Sequence, residues 1–153
     1  MNINIRPVGY SHEMFAPLLS EAQAQGFTFL DRLRDEWLDG TMRFDRRGEI
    51  LFGAFVKPDL IGVGGITLDP YSSEPSLGRL RHLYVLDRFR GRGVGRNLVK
   101  HILSHARSRF GCVRLFTGRP EAARLYESVG FAPTLAYKET HRLYFQTSFT
   151  SRP

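Results

Sequence analysis

The feature that most constrains this chain is a basic, glycine-rich turn between an apolar strand and an amphipathic helix. The predicted strand covers residues 80–86, and apolar side chains recur at helical spacing over residues 94–106. Glycines permit a sharp turn and a close ligand approach, and a helix N-terminus presents unpaired N–H groups with a partial positive charge. The segment therefore predicts an anion site that suits a pyrophosphate. The turn runs through Arg90, Gly91, Arg92, Gly93, Val94, Gly95 and Arg96.

Two common phosphate-binding motifs do not fit this turn. A P-loop ends in Gly-Lys-Ser/Thr, which the turn lacks. A dinucleotide fingerprint needs a third glycine where this chain has Arg96, and an acidic residue about 20 positions onward, where residues 116–119 supply none. On this motif alone, two other interpretations remain: a basic turn exposed to solvent, and an RNA-binding Arg-Gly stretch. The motif that remains is Arg90-x-x-Gly93-x-Gly95.

A second motif follows about 30 residues later in the chain. Pro120 suits the first turn of a short helix, and Gly130 suits its C-terminal end. On its own, the segment is typical of an ordinary capped helix with Tyr126 on its buried face. The motif reads Ala122-Ala123-Arg124-Leu125-Tyr126-Glu127-Ser128-Val129-Gly130-Phe131.

In this order and spacing, the two motifs resemble those of the GNAT N-acetyltransferase superfamily. The resemblance is tightest over residues 80–131, and elsewhere only the order of the elements agrees. It implies an enzyme of one domain, residues 1–153, that takes its acetyl group from acetyl-CoA as cosubstrate.

The order of the predicted elements is the one that the resemblance implies, β-α-α-β-β-β-α-β-α-β-β. An edge strand at residues 2–8 precedes two helices that Gly26 separates, and residues 50–56 and 60–68 read as a hairpin. Weaker alternation at the C-terminal end indicates a final pair of strands. We expect an α/β fold with one mixed sheet, helices on both faces and splayed central strands.

The resemblance also implies which residues contact acetyl-CoA. Leu83, Tyr84 and Val85 would lie along the pantetheine arm, with the Val85 N–H as donor to the thioester oxygen. Residues 90–96 would hold the diphosphate mainly through backbone N–H groups. Arg119 stands where the family commonly carries an asparagine that contacts the cofactor, so this contact is either lost or replaced by one to a phosphate.

The catalytic groups are harder to assign than the cofactor site. Tyr126 aligns with the residue that protonates the departing thiolate. Relatives place Glu or His at positions that hold Arg79 and Arg81 here, and arginine cannot act as a base at neutral pH. His82 has a suitable intrinsic pKa, but in an unbulged strand it points to the opposite face. His82 is nevertheless carried as the candidate base, and a water chain or an amine that arrives neutral is the alternative. Weaker candidates are Asp69, Glu74 and Glu36.

Charge and composition exclude several other classes of protein. The net charge is +7, but residues 79–124 hold 12 Lys/Arg against 2 Asp/Glu. This concentration around the expected coenzyme A site argues against a nucleic-acid partner. Cys112 is the single cysteine, which excludes an intrachain disulfide, and it opens an apolar stretch, which favours a packed thiol over a nucleophile. The histidines are scattered and form no Cys/His cluster, so we expect no metal site. Without a signal-peptide pattern or an apolar run of about 20 residues, we expect a cytoplasmic protein outside the membrane.

The acceptor is the part of the function that the sequence leaves open. Residues 13–49 hold 8 acidic and 5 basic residues, which favours a cationic amine, whereas Arg79 and Arg81 favour an acceptor with a carboxylate. The small chain favours a small-molecule amine. A protein or charged-tRNA acceptor and a non-catalytic CoA-binding module remain alternatives, and a homodimer stays open. Apolar surface near the expected acceptor site would come from Phe27, Phe29, Trp37 and Tyr71.

Overall fold

In this computed structural model, which describes residues 2–146, seven strands and four α-helices follow one another in the predicted order. The expected domain, residues 1–153, also includes Met1 and residues 147–153, which lie outside the described residues. Within residues 2–146, no helix is long and apolar enough to cross a lipid bilayer. The strands are β1 (Asn4–Pro7), β2 (Ile50–Val56), β3 (Asp59–Leu68), β4 (Leu77–Val85), β5 (Cys112–Leu115), β6 (Ala132–Ala136) and β7 (Glu139–Tyr144). The helices are α1 (His12–Ala24), α2 (Phe29–Asp39), α3 (Val94–Ala106) and α4 (Pro120–Ser128).

The strands form one mixed sheet in the order β1-β2-β3-β4-β5-β7-β6. Strands β4 and β5 are parallel, and they pair only where Leu77–Arg79 meets Cys112–Arg114. Beyond Arg79, β4 continues to Val85 with no described strand on its β5 side. The predicted fold class is therefore confirmed, and the splay opens a slot in the middle of the sheet.

Helices cover both faces of this sheet. Leu83 of β4 packs beside Ile102 of α3, whereas the hydroxyl of the next residue, Tyr84, donates to Glu21 of α1. Because neighbouring side chains of a strand point to opposite faces, α3 and α1 lie on opposite sides. Helix α3 forms because its apolar residues recur at helical spacing, and the sheet buries that side of the helix. The buried residues of α3 are Val94, Leu98, Val99, Ile102 and Ala106.

Strand β4 contains a β-bulge. Two of its residues, His82 and Leu83, lie opposite a single residue of β3, Gly64. The backbone of His82 takes a φ of 62°, a left-handed conformation that few residues other than glycine adopt. The extra residue is accommodated there, and the strand continues in register with β3 on both sides of the bulge.

The bulge changes the face to which His82 points. Arg81 lies 3.8 Å from Glu36 of α2, and the ring of His82 stacks on Phe29, also of α2, at a centroid distance of 6.4 Å. Both side chains therefore face α2, although strict alternation would separate them. The expectation of an unbulged strand, with His82 on the far face, is wrong.

A buried carboxylate holds β4 and β5 together just before they separate. The side chain of Asp69, which follows β3, is fully buried. Arg114 of β5 donates to it from Nε at 2.7 Å and from Nη2 at 2.9 Å, and Arg79 of β4 donates from Nη1 at 3.3 Å. Because Arg79 and Arg114 are cross-strand partners, Asp69 offsets the repulsion between two like charges. The point at which the slot begins is thereby fixed.

We expect Asp69→Asn to destabilise the fold, because it removes the charge of the buried carboxylate that binds both Arg79 and Arg114. Removing one partner of a buried ion pair lowers the free energy of unfolding by about 3–5 kcal/mol, which urea denaturation measures. Glu74→Gln removes an exposed carboxylate of the same loop and should change this free energy by less than about 0.5 kcal/mol. Equal stability of the two variants would contradict this role of Asp69.

Candidate active site

The slot between β4 and β5 opens into a cavity of about 1060 Å³. Its walls come from β4, the start of α3, α4 and the loop between α1 and α2. The fold thus brings together, in one cavity, residues from four separate stretches of the chain, 27–32, 71, 79–96 and 115–126. Of the residues expected to contact acetyl-CoA, Arg92 is the one that does not line the cavity. The predicted cofactor-binding and catalytic residues that line it are His82, Leu83, Tyr84, Val85, Arg90, Gly91, Gly93, Val94, Gly95, Arg96, Arg119 and Tyr126.

The glycine-rich turn, residues 90–96, lies at one end of the cavity, and we call it the cradle. Gly91 and Gly93 have φ angles of 76° and 82°, in the region that favours glycine. A Cβ at either position would meet no atom of the described chain within 4 Å. The N–H groups of Val94 and Gly95, in the first turn of α3, have no acceptor among the described residues. A helix start with free donors and open space in front of it suits a phosphate.

Arg90 supports the cradle from behind. Its Nε donates to the carbonyl of Val85 at 2.8 Å, and its guanidinium also donates to Asp87 at 3.3 Å and to Gln25 at 3.2 Å. The same group lies over the ring of Tyr84, 5.1 Å from the centroid. Most donors of Arg90 are therefore occupied within the protein, so we expect backbone N–H groups to make the main anion contacts.

Sequence reasoning missed Glu21 of α1, which connects the cradle to the rest of the fold. Its Oε2 accepts the hydroxyl of Tyr84 at 2.5 Å and the N–H of Asp87 at 2.9 Å. It also lies 3.9 Å from Arg90. The side chain of Tyr84 is thereby committed to α1. Nothing in the sequence distinguishes Glu21 from the other acidic residues of the first two helices.

The backbone of Val85 faces the slot. The N–H of the next residue, Leu86, donates to Ile61 of β3 at 2.9 Å. Backbone groups of successive strand residues point to alternate sides, so the Val85 N–H points away from β3. Its carbonyl accepts from Arg90 on the same side. The N–H is thus available to an oxygen atom in the slot.

Two further arginines connect the elements around the cavity. Arg96 Nη1 donates to the hydroxyl of Ser128 at 2.7 Å, which ties α3 to α4. Arg119 donates to Glu121 from Nη2 at 2.8 Å and from Nε at 3.0 Å. Its guanidinium also lies 4.6 Å from the ring centroid of Phe27. Arg119 therefore links the start of α4 to the loop between α1 and α2.

Tyr126 projects from α4 into the cavity wall and is only 6% exposed. Its ring packs edge-on against Phe131, with the centroids 5.6 Å apart. Burial raises the pKa of its hydroxyl, although the nearby charge of Arg119 opposes this shift. The phenol therefore keeps its proton at neutral pH, as a proton donor requires.

His82 lines the cavity but does not present its nitrogens to it. The ring lies between Phe29 and Phe44, at centroid distances of 6.4 and 6.2 Å. Neither buried ring nitrogen has a well-formed hydrogen bond, and only the backbone of Phe29 approaches. Burial, followed by the charges of Arg81 and Arg32, lowers the pKa of His82 to about 3. The imidazole is therefore neutral at physiological pH and covered by its neighbours in this conformation.

The three alternative bases stand outside the cavity lining. Asp69 is bound by Arg114 and Arg79, and Glu36 lies against Arg81. Glu74 is on an exposed part of the loop before β4. None of these carboxylates is placed to take a proton from a molecule in the cavity.

Aromatic side chains line the cavity beyond the bulge. Phe27, Phe29 and Tyr71 belong to this lining, as expected. Trp37 does not, because its ring packs close to Gly9. Across residues 2–146, no group of three or more His, Cys, Asp and Glu side chains could hold a metal ion.

Comparison with known proteins identifies the family. The model of the Acetyltransferase (GNAT) family matches residues 12–131. The chain belongs to the GNAT acetyltransferase family. The resemblance of the two sequence motifs is thus confirmed, and the general reaction of GNAT enzymes is the transfer of an acetyl group from acetyl-CoA to an amine.

Solved structures and a curated relative agree with GNAT membership. A structure from Exiguobacterium sp. 255-15, provisionally assigned as an acetyltransferase, is 26% identical with a TM-score of 0.83, and the alignment covers 94% of both chains. A GNAT acetyltransferase from Staphylococcus aureus Mu50 is 16% identical with a TM-score of 0.67, over 95% of this chain and 100% of the other. The spermine/spermidine N(1)-acetyltransferase of Bacillus subtilis (strain 168) is 29% identical over 86 residues. That match spans 52% of this chain and 57% of the relative.

We expect Gly93→Val to abolish or strongly weaken CoA binding in a protein that still folds, because its side chain would fill the open space before α3. Isothermal titration calorimetry with CoA measures the loss. Gly40→Val is the matched control, since Gly40 has the same φ of 82° and an added Cβ would meet only the flexible end of Arg43, at 3.7 Å. Gly40 lies outside the cavity lining. Both variants carry similar backbone strain, of about 1–3 kcal/mol. Unchanged CoA affinity in folded Gly93→Val would overturn the cradle assignment.

We expect His82 to make the free energy of unfolding fall between pH 7 and pH 5. Its pKa is about 3 in the folded protein, against an ordinary value of 6.5 for histidine, so below pH 6.5 the unfolded chain binds the extra proton. Acid then favours unfolding, by up to about 1.4 kcal/mol per pH unit from this group.

Denaturation of His82→Asn at several pH values checks this expectation. Asparagine tolerates the positive φ at this position, and the other histidines remain in both proteins. The variant should lose the part of the pH dependence that His82 supplies. An identical slope in the variant and the original protein would contradict the burial of a neutral imidazole.

Proposed function

We propose that this protein transfers an acetyl group from acetyl-CoA directly to the primary amine of a small molecule. The observation that carries the proposal is the cavity, because it joins an anion cradle, the Val85 N–H, the side chain of Tyr126 and an aromatic-lined end. Membership of the GNAT family supplies the general reaction. The Bacillus subtilis relative acts on spermine and spermidine, which lends partial support to a small amine acceptor.

The cradle is the part of the site that would hold the cosubstrate. The free N–H groups of Val94 and Gly95, together with the positive end of the α3 dipole, would bind the diphosphate. Arg96 adds a full positive charge beside them. When bound, acetyl-CoA supplies a thioester-activated acetyl group. The unpaired edge of β4 then offers its backbone to the rest of the molecule.

The Val85 N–H is proposed to stabilise the charge that develops on the carbonyl oxygen during attack. This donor is held by the strand and needs no rearrangement at the moment of reaction. Loss of one such donor slows related reactions by about 10²–10³-fold. Arg90 fixes the peptide on the other side of the same residue, through its bond to the Val85 carbonyl.

Tyr126 is proposed to donate its hydroxyl proton to the sulfur as the carbon–sulfur bond breaks. The acceptor nitrogen forms the new bond to carbon and releases one proton to water, and the phenol regains its proton from solvent. Because the nitrogens of His82 are covered, we propose that the amine enters in its neutral form. No base on the protein is then required.

Direct transfer fits the one cysteine of the chain better than an acetyl-enzyme does. Cys112 is buried at the start of β5, and burial raises the pKa of its thiol, with a smaller opposing effect of Arg142. A nucleophilic cysteine needs the opposite, a lowered pKa. The intact mass of the protein after incubation with acetyl-CoA alone should therefore show no added acetyl group.

A screen of acetyl-CoA consumption over amino acids, polyamines, aminoglycosides and peptides tests the proposal. We expect turnover of at least one class of small amine, together with CoA binding by calorimetry. Acetylation confined to peptides would replace the proposed acceptor with a protein. CoA binding without turnover of any amine would leave a non-catalytic CoA-binding module.

We expect Tyr126→Phe to lower kcat by about 10²–10⁴-fold, the range for loss of a positioned acid. The affinity for CoA should hardly change, because only the hydroxyl is removed and the ring still packs against Phe131. Tyr144→Phe, which removes the hydroxyl of an exposed tyrosine, is the matched control. An unchanged kcat with the chemical step rate-limiting would show that Tyr126 only supports the cavity wall.

A further inference from the structure

Three arginines meet at the acceptor end of the cavity, and we call them the arginine cluster: Arg32 of α2 with Arg79 and Arg81 of β4. All three line the cavity. They are close enough that the charges of Arg79 and Arg32 affect the pKa of Arg81. The bulge in β4 keeps the Arg81 side chain on the α2 face, next to His82.

Arg81 lacks the partners that a buried arginine normally has. Its side chain is 11% exposed, and its nearest carboxylate is Glu36 at 3.8 Å, which is beyond hydrogen-bond distance. No hydrogen bond joins its guanidinium to any described residue. A guanidinium has five N–H donors, and a mostly buried charge with one distant carboxylate and no hydrogen bond is poorly satisfied.

Arg114, a buried arginine of the neighbouring strand, shows what a purely structural arginine looks like in this fold. It donates twice to Asp69, once to Glu139 and once to the carbonyl of Tyr137. Hydrogen bonds with Asp69 raise the pKa of Arg114, whereas burial lowers that of Arg81. Arg81 is therefore left with donors that the described chain does not use.

The other two arginines of the cluster, Arg32 and Arg79, add positive charge beside Arg81. The guanidinium of Arg32 forms no hydrogen bond or ion pair with a described residue. Arg79 shares Asp69 with Arg114, which holds that carboxylate at shorter distances. The cluster therefore presents a surplus of positive charge to the cavity.

The lining of the whole cavity likewise carries more positive than negative side chains. Glu121 is its one acidic residue among the described residues, and Arg119 occupies its carboxylate. The acidic residues of the first two helices, which favoured a cationic acceptor, do not line the cavity. Asp31 and Asp35 contact Arg34, for example, away from the lining. A polycation would meet repulsion in this cavity.

We infer that the amine acceptor carries a carboxylate, and that Arg81 and Arg32 bind it while its amine faces the slot. The inference rests on the proposed acetyl transfer. The planar guanidinium matches a carboxylate with two parallel hydrogen bonds, which are stronger than neutral ones. Asp69 keeps Arg79 beside the pair as a further positive charge. The acceptor is thus an amino acid or a similar compound, and it differs in charge from the spermine and spermidine of the Bacillus subtilis relative.

Matched pairs of amines test the inference with one functional group changed at a time. Each amino acid is compared with the amine that lacks its carboxylate: phenylalanine with phenethylamine, arginine with agmatine, lysine with cadaverine, and 6-aminohexanoate with pentylamine. We expect kcat/KM to be about 10- to 100-fold higher for the carboxylate member of the preferred pair, as for a hydrogen-bonded ion pair. Spermidine and phosphoethanolamine test polycationic and phosphate-bearing acceptors.

Variants show whether the cluster causes this preference. Arg81→Gln and Arg32→Gln should lower kcat/KM for the carboxylate member and leave the decarboxylated member almost unchanged. Arg32 is exposed, so its replacement should not disturb folding. Arg47→Gln removes an equal charge at an exposed position outside the cavity lining and should change neither value. CoA affinity should be the same in all variants.

The outcomes separate this inference from the proposed function. If spermidine or the decarboxylated amines were acetylated in preference to the amino acids, the inference of a carboxylate on the acceptor would be wrong. The proposed acetyl transfer would still stand. Preference for phosphoethanolamine would show that the anionic group of the acceptor is a phosphate and not a carboxylate. Calorimetric titration of each pair in the presence of CoA gives the same comparison without turnover. Equal binding of both members there would overturn the inference even if no acceptor were acetylated.

Discussion

The separation of β4 from β5 is the constraint on which the site depends. A strand inside a sheet normally pairs along both edges, but β4 loses its β5 partner after Arg79. Asp69 fixes that point, because its carboxylate binds arginines from both strands. From Leu80 to Val85, one edge of β4 keeps free backbone groups, which need a partner when they are removed from water. A ligand that lies in the slot can supply one.

The arginines around this slot fall into two groups, those with hydrogen-bond partners within the protein and those without. The net charge of the chain does not distinguish the two groups. Arg90, Arg96 and Arg119 are each bound by neighbouring side chains or carbonyls, so they shape the cavity. The proposed anion binding at the cradle would then depend mainly on the N–H groups at the start of α3. Arg81 is buried with no hydrogen bond of its own, which makes it suited to a ligand. Burial and pairing decide which positive charges are available.

Much of the fold and of the cradle could be predicted from the sequence, because both follow from local patterns. The helical spacing of apolar residues predicts α3, and the closely spaced glycines predict the turn before it. In the structure, Gly91 and Gly93 of that turn have positive φ angles. Strand β4, however, starts at Leu77 and not at the predicted Leu80. Gly78 and Arg79 interrupt the apolar pattern at the start of this strand. They nevertheless belong to β4, because they pair with residues of β3 and β5. Pairing partners distant in the chain are invisible to a local pattern.

The sequence by itself determined the order of the elements, the glycine-rich turn and the family, since each follows from local patterns of residues that are close together in the chain. Only the tertiary structure decided where His82 points, because the β4 bulge depends on the register with β3. The same holds for Glu21, which meets Tyr84 from a helix 63 residues earlier in the chain. Packing also decided that Arg114 makes four hydrogen bonds within the protein, whereas the guanidinium of Arg81 makes none with the described residues. Hydrogen bonds and burial of this kind arise from packing between distant segments, which residue type and spacing do not specify.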